Sequence, residues 1–313
     1  MGKRIEDSMR ALRLAAEMSQ RFYEKPLIIT YSGGKDSSVL LDLAENCLKP
    51  NEFEVIHSLT TVDAPETVYF IKDEFKRLKA KGVNAEVRKA VDDSGKQITM
   101  WNLIPKKKTP PTRIMRYCCE VLKESGSPNR IVATGVRAEE SVNRRGRDTF
   151  LAKGKTLEDA KYFSLEHAME VYGESLTREP IWDCKLIEEM RKKNEIIVNP
   201  IYDWTRKNVW EYIRSRNLKV NPLYDRGYTR IGCIGCPMGS YWGKKREFSE
   251  YPKYKEAYLR AFEKMLEERK RSGLSVDLKS AQEVFDWWIE EYKHSCKGQI
   301  TLQEWETEIS VKA

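Results

Sequence analysis

The sequence predicts an α/β protein with a doubly wound, mostly parallel sheet and a helical C-terminal region. Short apolar, β-branched runs alternate along much of the chain with segments whose apolar residues recur at helical spacing. One such run, at residues 27–31, leads through two glycines into a helical pattern. From about Tyr251 onward the pattern is helical. This alternation is typical of a parallel sheet with helices between its strands.

The single elements follow from local patterns. Residues 3–24 alternate apolar and charged positions at helical spacing, which predicts a helix packed beside the first strand. The helix after the glycines should end near Cys47, and Thr205 is a suitable N-cap for a helix that ends near Arg216. The further predicted elements are strands at 53–61, 84–89, 130–134 and 196–201 and a helix that runs through residue 79.

The composition is that of a folded chain with an excess of basic residues. Of 313 residues, 33% are charged and 40% are apolar, and the net charge is +8. Such a balance suits an anionic ligand, either a nucleotide or a nucleic acid. No apolar run approaches the roughly 18 residues that span a bilayer, and the N-terminus lacks a signal-peptide pattern, so we expect a cytoplasmic protein with no membrane partner. The seven cysteines, an odd number, argue against a disulfide framework.

Residues 32–37 combine a strand end, a glycine turn and the start of a helix. The glycines let backbone N–H groups close on an oxyanion, and the helix N-terminus adds partial positive charge. The lysine adds a formal charge and the serines add hydroxyl donors. The order differs from the Walker loop, because Asp36 follows the lysine. We therefore expect phosphate groups to bind at Ser32, Gly33, Gly34, Lys35, Asp36 and Ser37.

Two further strand ends carry candidate binding residues. Asp63 follows the strand at 53–61, and open α/β sheets bind ligands at the carboxyl ends of their strands. Gly135 and Arg137 follow the strand at 130–134, with Arg145 just beyond. A guanidinium group can bind an oxyanion through two parallel hydrogen bonds, so the two arginines are predicted to contact a second phosphate or sulfate.

Four of the cysteines form two groups, Cys118-Cys119 and Cys233-x-x-Cys236. By itself the second group could be half of a zinc site, a redox dithiol or half of an iron–sulfur site. Adjacent residues such as Cys118 and Cys119 cannot easily share one tetrahedral zinc shell, but they can bind two irons of one cubane. The sequence therefore favours a [4Fe–4S] cluster over zinc or independent thiols.

Two stretches have roles that the sequence leaves open. Residues 106–113 form a basic loop that leads to the first cysteine pair and is either a solvated face or a receiver of phosphates. Residues 146–195 are polar, charged and irregular, as in an insertion that recognises a partner or substrate. The insertion interrupts a predicted nucleotide-binding α/β domain at 1–216. Residues 217–313 hold the second cysteine group and the C-terminal helices.

These motifs resemble the phosphoadenosine phosphosulfate (PAPS) reductase family of the PP-loop, or ATP pyrophosphatase, superfamily. The resemblance covers about residues 25–240 and implies an adenine nucleotide α-hydrolase-like fold. It rests on the segments 32–37, 63–67, 134–137, 199–204 and 221–224, on Ser141 and Arg145, and on both cysteine groups. In cluster-bearing members a cysteine pair and a Cys-x-x-Cys motif bind [4Fe–4S]. The same role is implied here for Cys118, Cys119, Cys233 and Cys236.

The chain departs in one feature from the thioredoxin-coupled reductases of this family, which attack the sulfonucleotide with a cysteine in a C-terminal Glu-Cys-Gly-type motif. Residues 301–313 contain no such motif, and Cys296 lies in a different pattern. The order Lys35-Asp36-Ser37 instead resembles superfamily members that cleave ATP to AMP and pyrophosphate, among them phosphorothioation and tRNA-thiolation enzymes.

The resemblance therefore implies an ATP pyrophosphatase and sulfurtransferase that activates an acceptor for sulfur transfer. The alternative is an oxidoreductase that reduces adenosine phosphosulfate (APS) or PAPS to sulfite. A hypothesis from another class is a non-catalytic nucleic-acid-binding or redox-sensing iron–sulfur module.

The cofactors implied are a [4Fe–4S] cluster, ATP (or APS or PAPS) and Mg²⁺. The partners implied are a DNA or tRNA acceptor and a thiol or electron donor, and the C-terminal helices could also form a homodimer. A Mg²⁺ ligand is expected at Asp36, because a leaving pyrophosphate needs its charge neutralised. The expected catalytic residues are Lys35, Asp36, Arg137 and Arg145.

Overall fold

The computed structural model describes residues 1–124, 129–140, 144, 148–153, 161–170, 195–274 and 278–290. The chain divides into two compact units. Unit 1 comprises Met1–Leu59, Pro65–Arg88 and Glu124–Ile231, and unit 2 comprises Thr60–Ala64, Lys89–Lys123 and Gly232–Ala313. The domain boundary expected near residue 217 stays a prediction.

Unit 1 is built on a seven-stranded sheet with the order β3-β2-β1-β4-β7-β5-β6. The strands are β1 (Leu27–Thr30), β2 (Phe53–Leu59), β3 (Asn84–Lys89), β4 (Arg130–Ala133), β5 (Phe150–Lys153), β6 (Lys161–Phe163) and β7 (Glu195–Val198). β1 pairs in parallel with β2 and with β4, and β4 pairs in parallel with β7. β5 pairs antiparallel with both β7 and β6. The predicted α/β class with a mostly parallel sheet is confirmed.

The helices predicted at 3–24, up to residue 47, through residue 79, up to residue 216 and beyond residue 251 are present, and the structure adds helices at 100–107, 117–119, 165–168 and 241–250. In chain order they are α1 (Gly2–Tyr23), α2 (Lys35–Cys47), α3 (Pro65–Ala80), α4 (Met100–Lys107), α5 (Tyr117–Cys119), α6 (Leu165–Ala168), α7 (Arg206–Ser215), α8 (Tyr241–Glu250), α9 (Pro252–Arg271) and α10 (Ala281–Glu290). The predicted cap of α7 is confirmed, since the side chain of Thr205 accepts a hydrogen bond from the backbone N–H of Asn208. None of the described helices has the length and apolar character needed to cross a membrane.

The core of unit 1 forms where the apolar faces of α1 and α2 meet the sheet. Leu12 and Met18 of α1 are fully buried, as are Leu27 of β1 and Phe53 of β2. Burying one such side chain contributes about 1.5–3 kcal/mol, so these faces fix how the helices lie on the strands. The packing of α1 and α2 on the sheet therefore fixes the strands whose ends carry the site.

The strand order of unit 1 reverses at β1. Along the chain, β2 and β3 are added on one side of β1, whereas β4 and β7 are added on the other. Such a reversal leaves a crevice at the carboxyl ends of the two strands that flank it, and open α/β sheets bind their ligands there. In unit 1 these two strands are β1 and β4, which are followed by Ser32–Ser37 and by Gly135 and Arg137.

Unit 2 is held together by aromatic side chains of its C-terminal helices. The ring centroid of Trp288 lies 4.8 Å from that of Tyr258 and 5.5 Å from that of Phe262. The indole N–H of Trp288 donates to the carbonyl of Pro111 at 2.8 Å, and the ammonium of Lys244 donates to the carbonyl of Trp288 at 3.0 Å. These contacts join α8, α9 and α10 to the segment that leads to α5.

Gly235, in the loop between Cys233 and Cys236, lies against this aromatic core. Its φ is +70°, and a Cβ atom there would lie 2.7 Å from Phe248 and 2.8 Å from Trp288. Buried ring atoms cannot swing away as the end of a flexible side chain can, and L-residues with a side chain rarely adopt this backbone conformation. Only glycine fits this position without strain.

We predict that Gly235→Ala lowers the free energy of unfolding by about 2–4 kcal/mol, the sum of left-handed backbone strain and overpacking. Urea unfolding followed by tryptophan fluorescence measures this change. Gly232→Ala is the matched control, because a Cβ there meets no atom within 4 Å. Equal stability of the two variants would contradict the packing described for Gly235.

Candidate functional site

The first candidate site is the loop between β1 and α2 in unit 1. Gly33 has a φ of +72°, and Gly34 is the N-cap of α2. The Ser37 hydroxyl donates to the Gly34 carbonyl at 2.8 Å, and its oxygen lies 3.1 Å from that of Ser32. These contacts fix the turn, so α2 begins a few residues after the carboxyl end of β1. Such a helix end attracts anions.

Asp36 is the centre of a charge cluster in this loop. One carboxylate oxygen accepts a hydrogen bond from Lys35 Nζ at 2.7 Å, and the other accepts one from Arg137 Nε, also at 2.7 Å. Lys35 and Arg137 are 6% and 4% exposed. Two cations with little contact to solvent are thus held against one carboxylate at the start of α2.

Arg137 has three kinds of partner. Besides Asp36, its Nη1 donates to Glu139 at 2.8 Å and to the Trp204 carbonyl at 3.2 Å. Burial by itself would lower the pKa of Arg137. The negative charges of Asp36, Glu139 and Glu140 raise this pKa by more than burial lowers it, so the net shift is upward. The guanidinium is therefore charged and fixed in orientation before any ligand arrives.

Gly135 brings the end of β4 against the loop. A Cβ atom there would lie 3.1 Å from the carbonyl carbon of Asp36 and 3.2 Å from the backbone nitrogen of Ser37. Any side chain would push on backbone atoms, which cannot give way without moving the loop. The predicted phosphate loop and the predicted second contact at Gly135 and Arg137 are therefore brought together in one site.

Tyr224 is a site residue that sequence reasoning did not identify. Its hydroxyl accepts a hydrogen bond from the backbone N–H of Lys35 at 2.8 Å, and burial raises its pKa. Its ring packs edge-on against Trp210, with 5.2 Å between the ring centroids. A phosphate at the start of α2 would compete with this hydroxyl for the Lys35 N–H. The only signal was that residues 221–224 belong to the family resemblance.

The second candidate site, in unit 2, is formed by the two cysteine pairs. Cys118 is buried, and Cys119, Cys233 and Cys236 are partly buried. A hydrogen bond to Cys119 raises the pKa of Cys118, burial raises it further, and so do the charges of Cys233 and Cys236. The pKa of the Cys118 thiol therefore depends on all three of the other thiols.

Two basic side chains accompany these thiols. The Cys118–Cys119 hydrogen bond lowers the pKa of Cys119 to about 5 against the opposing effect of burial, and Arg116 Nη2, which donates to Cys119 Sγ at 3.3 Å, lowers it as well. Lys123 has a raised pKa, first because of Cys233 and despite its own desolvation. The group thus combines four sulfur donors with two cations that offset thiolate charge.

In the described part of the chain, no group of three or more His, Cys, Asp or Glu side chains is arranged to hold a single metal ion. A single zinc ion needs four ligand atoms converging at 2.0–2.3 Å, whereas an iron–sulfur cubane takes one thiolate at each of four separated irons. The two cysteine pairs supply four thiols, one for each iron of a cubane, so this donor set fits the cluster.

Asp63 lies in unit 2, next to the cysteines. It forms a β-bridge with Cys233, and its carboxylate accepts a hydrogen bond from the Thr60 N–H at 3.0 Å. The Thr60 hydroxyl in turn accepts one from Cys233 Sγ at 3.4 Å. The nucleotide contact expected for Asp63 stays a prediction. Arg145, Cys296 and most of the insertion at 146–195 lie outside the described residues.

The fold and the loop define a PP-loop protein of the adenine nucleotide α-hydrolase superfamily. The sequence profile of the phosphoadenosine phosphosulfate reductase domain matches residues 26–238, which is more than half of the chain. The protein belongs to this family.

Curated relatives agree with this assignment. An adenosine 5'-phosphosulfate reductase of Anoxybacillus flavithermus is 27% identical over 222 residues, which cover 70% of this chain and 76% of the relative. An uncharacterized protein of Methanocaldococcus jannaschii is 29% identical over 251 residues, 79% of this chain but only 48% of the relative. This chain thus spans about half the length of that relative.

Solved structures give weaker similarities. A PAPS reductase from Candida auris has a TM-score of 0.40 at 16% identity and covers 70% of this chain and 88% of its own. The U34-tRNA thiolase NcsA from Methanococcus maripaludis, solved with its [4Fe–4S] cluster, has a TM-score of 0.40 at 14% identity. The match covers 89% of this chain and 83% of the thiolase chain. Both TM-scores are too low to support an inference about this chain.

Proposed function

We propose that this protein cleaves ATP to AMP and pyrophosphate in order to activate an acceptor for sulfur transfer. The observation that carries the proposal is the Asp36 carboxylate between Lys35 and Arg137. A leaving pyrophosphate gathers negative charge that Mg²⁺ neutralises, and a carboxylate in the phosphate loop can hold that ion. A loop that bound only a sulfonucleotide without a metal ion would gain nothing from a carboxylate that repels its anion.

The two cations supply the electrostatic part of the reaction. With Mg²⁺ held by the Asp36 carboxylate, Lys35 and Arg137 would be available to contact phosphate oxygens. The start of α2 and the serine hydroxyls of the loop complete the phosphate contacts. Groups fixed before the reaction stabilise developing charge without reorganisation, which is usually the largest contribution to catalysis. Arg145 is expected to add a further contact.

The bond changes balance without an added oxidant or reductant. An acceptor oxygen attacks the α-phosphorus of ATP, the bond to the bridging β-phosphate oxygen breaks, and pyrophosphate leaves. The acceptor then carries AMP on that oxygen. A hydrosulfide ion attacks the activated carbon, the carbon–oxygen bond breaks, AMP leaves, and one proton is released as the carbon–sulfur product forms.

We further propose that Cys118, Cys119, Cys233 and Cys236 hold a [4Fe–4S] cluster. The support is the set of four thiols and the nearby charges of Arg116 and Lys123, which would offset the negative charge of a thiolate-bound cluster. A bound cluster would supply an iron site at which sulfur can be held. Arg116 would keep its hydrogen bond to the sulfur of Cys119 when the cluster is bound.

The second candidate function is reduction of a sulfonucleotide to sulfite. It is favoured by one specific observation, the APS reductase of Anoxybacillus flavithermus at 27% identity over 70% of this chain. In this function Lys35 and Arg137 would contact the phosphate and sulfate of APS or PAPS, and a thiol would attack the sulfur.

The Asp36→Asn variant separates the two functions. We expect at least a 100-fold loss in the rate of Mg²⁺-dependent pyrophosphate release, because the metal loses its ligand, while ATP binding without Mg²⁺ is kept because Lys35 and Arg137 remain. Pyrophosphate release and isothermal titration calorimetry measure the two quantities.

Glu139→Gln is the matched control for Asp36→Asn. It also removes a carboxylate that contacts Arg137, but the Glu139 side chain is 51% exposed and is not part of the loop. Its rate should stay within a few-fold of the wild type. If Asp36→Asn instead leaves pyrophosphate release unchanged, or if only sulfite from APS is ever produced, the ATP pyrophosphatase proposal is wrong.

We predict that Cys236→Ser lowers the iron content and the brown absorbance of anaerobically reconstituted protein, because one of four thiolate ligands is lost. Iron and sulfide analysis together with the visible spectrum measure the effect. Cys47→Ser, which changes a cysteine of unit 1 that packs against the core of that unit, is the control and should keep its iron. Full iron content in Cys236→Ser would refute the assignment of this ligand.

A further inference from the structure

An exposed aromatic pair stands at the start of α8, shortly after the second cysteine group. The Trp242 side chain is 74% exposed. Its ring lies edge-on to that of Tyr241, with centroids 5.1 Å apart. The ammonium of Lys245 lies 4.7 Å from the Tyr241 centroid and 5.7 Å from the Trp242 centroid. The exposed indole is thus held by its neighbours in an orientation that leaves its flat face open to a ligand.

A second exposed segment stands just before the first cysteine group. Ile114 is 91% exposed and Met115 is 46% exposed, and both lie between two exposed arginines, Arg113 and Arg116. Residues 106–116 carry five basic side chains and no acidic one. Arg116 also contacts Cys119. The basic loop that the sequence singled out therefore continues to the thiol site itself.

Both segments belong to unit 2 and flank the same thiols. The first runs into Cys118 and Cys119, and the second starts five residues after Cys236. The chain just before the first segment and the helix that carries the second both contact Trp288, whose indole N–H donates to the Pro111 carbonyl at 2.8 Å and whose carbonyl accepts from the Lys244 ammonium at 3.0 Å. The two segments therefore lie in the same part of unit 2. We call them together the thiol rim, which consists of Arg113–Arg116 and of Tyr241, Trp242 and Lys245.

We propose that the thiol rim binds a single-stranded polynucleotide, with Trp242 as the platform on which an unpaired base stacks. Every base has a π-face that can stack on an indole, and arginine and lysine side chains contact the phosphates that follow. Lys245, held beside both rings, would place a positive charge next to the stacked base. The net charge of +8 agrees with a polyanionic partner.

The chemistry of the rim favours a polynucleotide over a protein or a duplex. A protein-docking surface of this kind would bury a larger contiguous apolar area, whereas here two short apolar or aromatic pairs are accompanied by basic side chains. In a duplex the bases are already stacked on each other and offer no free face to Trp242. RNA and single-stranded DNA share the required chemistry.

This inference rests on the proposed function and names the class of its acceptor. A base that stacks on Trp242 would lie beside the thiols at which sulfur is held. Binding of a polynucleotide needs neither ATP nor Mg²⁺, so it can be tested without any nucleotide. Failure of ATP cleavage and failure of polynucleotide binding are therefore separate results.

The experiment is fluorescence anisotropy with labelled 12-nucleotide RNA, DNA of the same sequence and the corresponding duplexes, using the full chain purified anaerobically. We expect both single strands to bind and the duplexes to bind at least ten-fold more weakly. Trp242→Ala should weaken single-strand binding roughly 5- to 100-fold, the range that loss of one stacked base implies. Trp242→Phe, which keeps an aromatic face, should restore most of the affinity.

Salt dependence tests the basic part of the rim. Lys245→Ala should reduce the slope of log K against log [salt] by about 0.7, the value for one phosphate contact to a single strand. Tyr69→Ala is the control, since Tyr69 is an aromatic residue of unit 1 that is 67% exposed. It should bind like the wild type.

The outcomes are distinct. Stronger binding of RNA than of DNA, or the reverse, identifies the acceptor while supporting the proposal. The proposal is overturned if Trp242→Ala binds single strands like the wild type, if duplexes bind as tightly as single strands, or if no polynucleotide binds at low salt. In that last case the rim serves a protein partner instead.

Discussion

The contact between the end of β4 and the start of α2 is the constraint on which the first site depends. Because Gly135 has no side chain, the backbone after β4 lies against the Asp36–Ser37 peptide. This approach places Arg137 Nε, in the segment after β4, 2.7 Å from a carboxylate oxygen of Asp36, at the start of α2. The parallel pairing of β1 with β4 sets up the approach, and the glycine allows it. The charge cluster is thus a product of strand order as much as of the loop sequence.

Much of unit 1 could be predicted from the sequence because local and global signals agree there. The run from Leu27 to Thr30 is apolar and β-branched, the glycines that follow cannot continue a strand, and the helix begins at Lys35 as the pattern requires. Joining Gly135 and Arg137 to the same site needed only the rule that parallel strands present their carboxyl ends at one edge. The two antiparallel strands β5 and β6 carried no such signal, because they lie within or beside an irregular, polar stretch.

What could not be predicted depends on long-range contacts. Tyr224 reaches the N–H of Lys35 from 189 residues away, and no periodicity or motif chemistry marks a tyrosine hydroxyl as a helix cap. Asp63 follows β2, and no sequence pattern indicated that its backbone pairs with Cys233. A strand end fixes where the chain leaves the sheet, but not the unit in which the next few residues pack.

The pairing of Lys35 and Arg137 with Asp36 has a consequence for which anions the loop admits. Lys35 and Arg137 each have a carboxylate oxygen of Asp36 at 2.7 Å, so a single free phosphate ion would have to displace that neutralising partner and leave its charge uncompensated. A polyphosphate that arrives with its own divalent cation would avoid this cost, because the carboxylate would then face the metal ion and the two basic side chains would face phosphate oxygens. The Asp36 carboxylate would thereby make the loop select a metal-bound nucleotide over free inorganic phosphate.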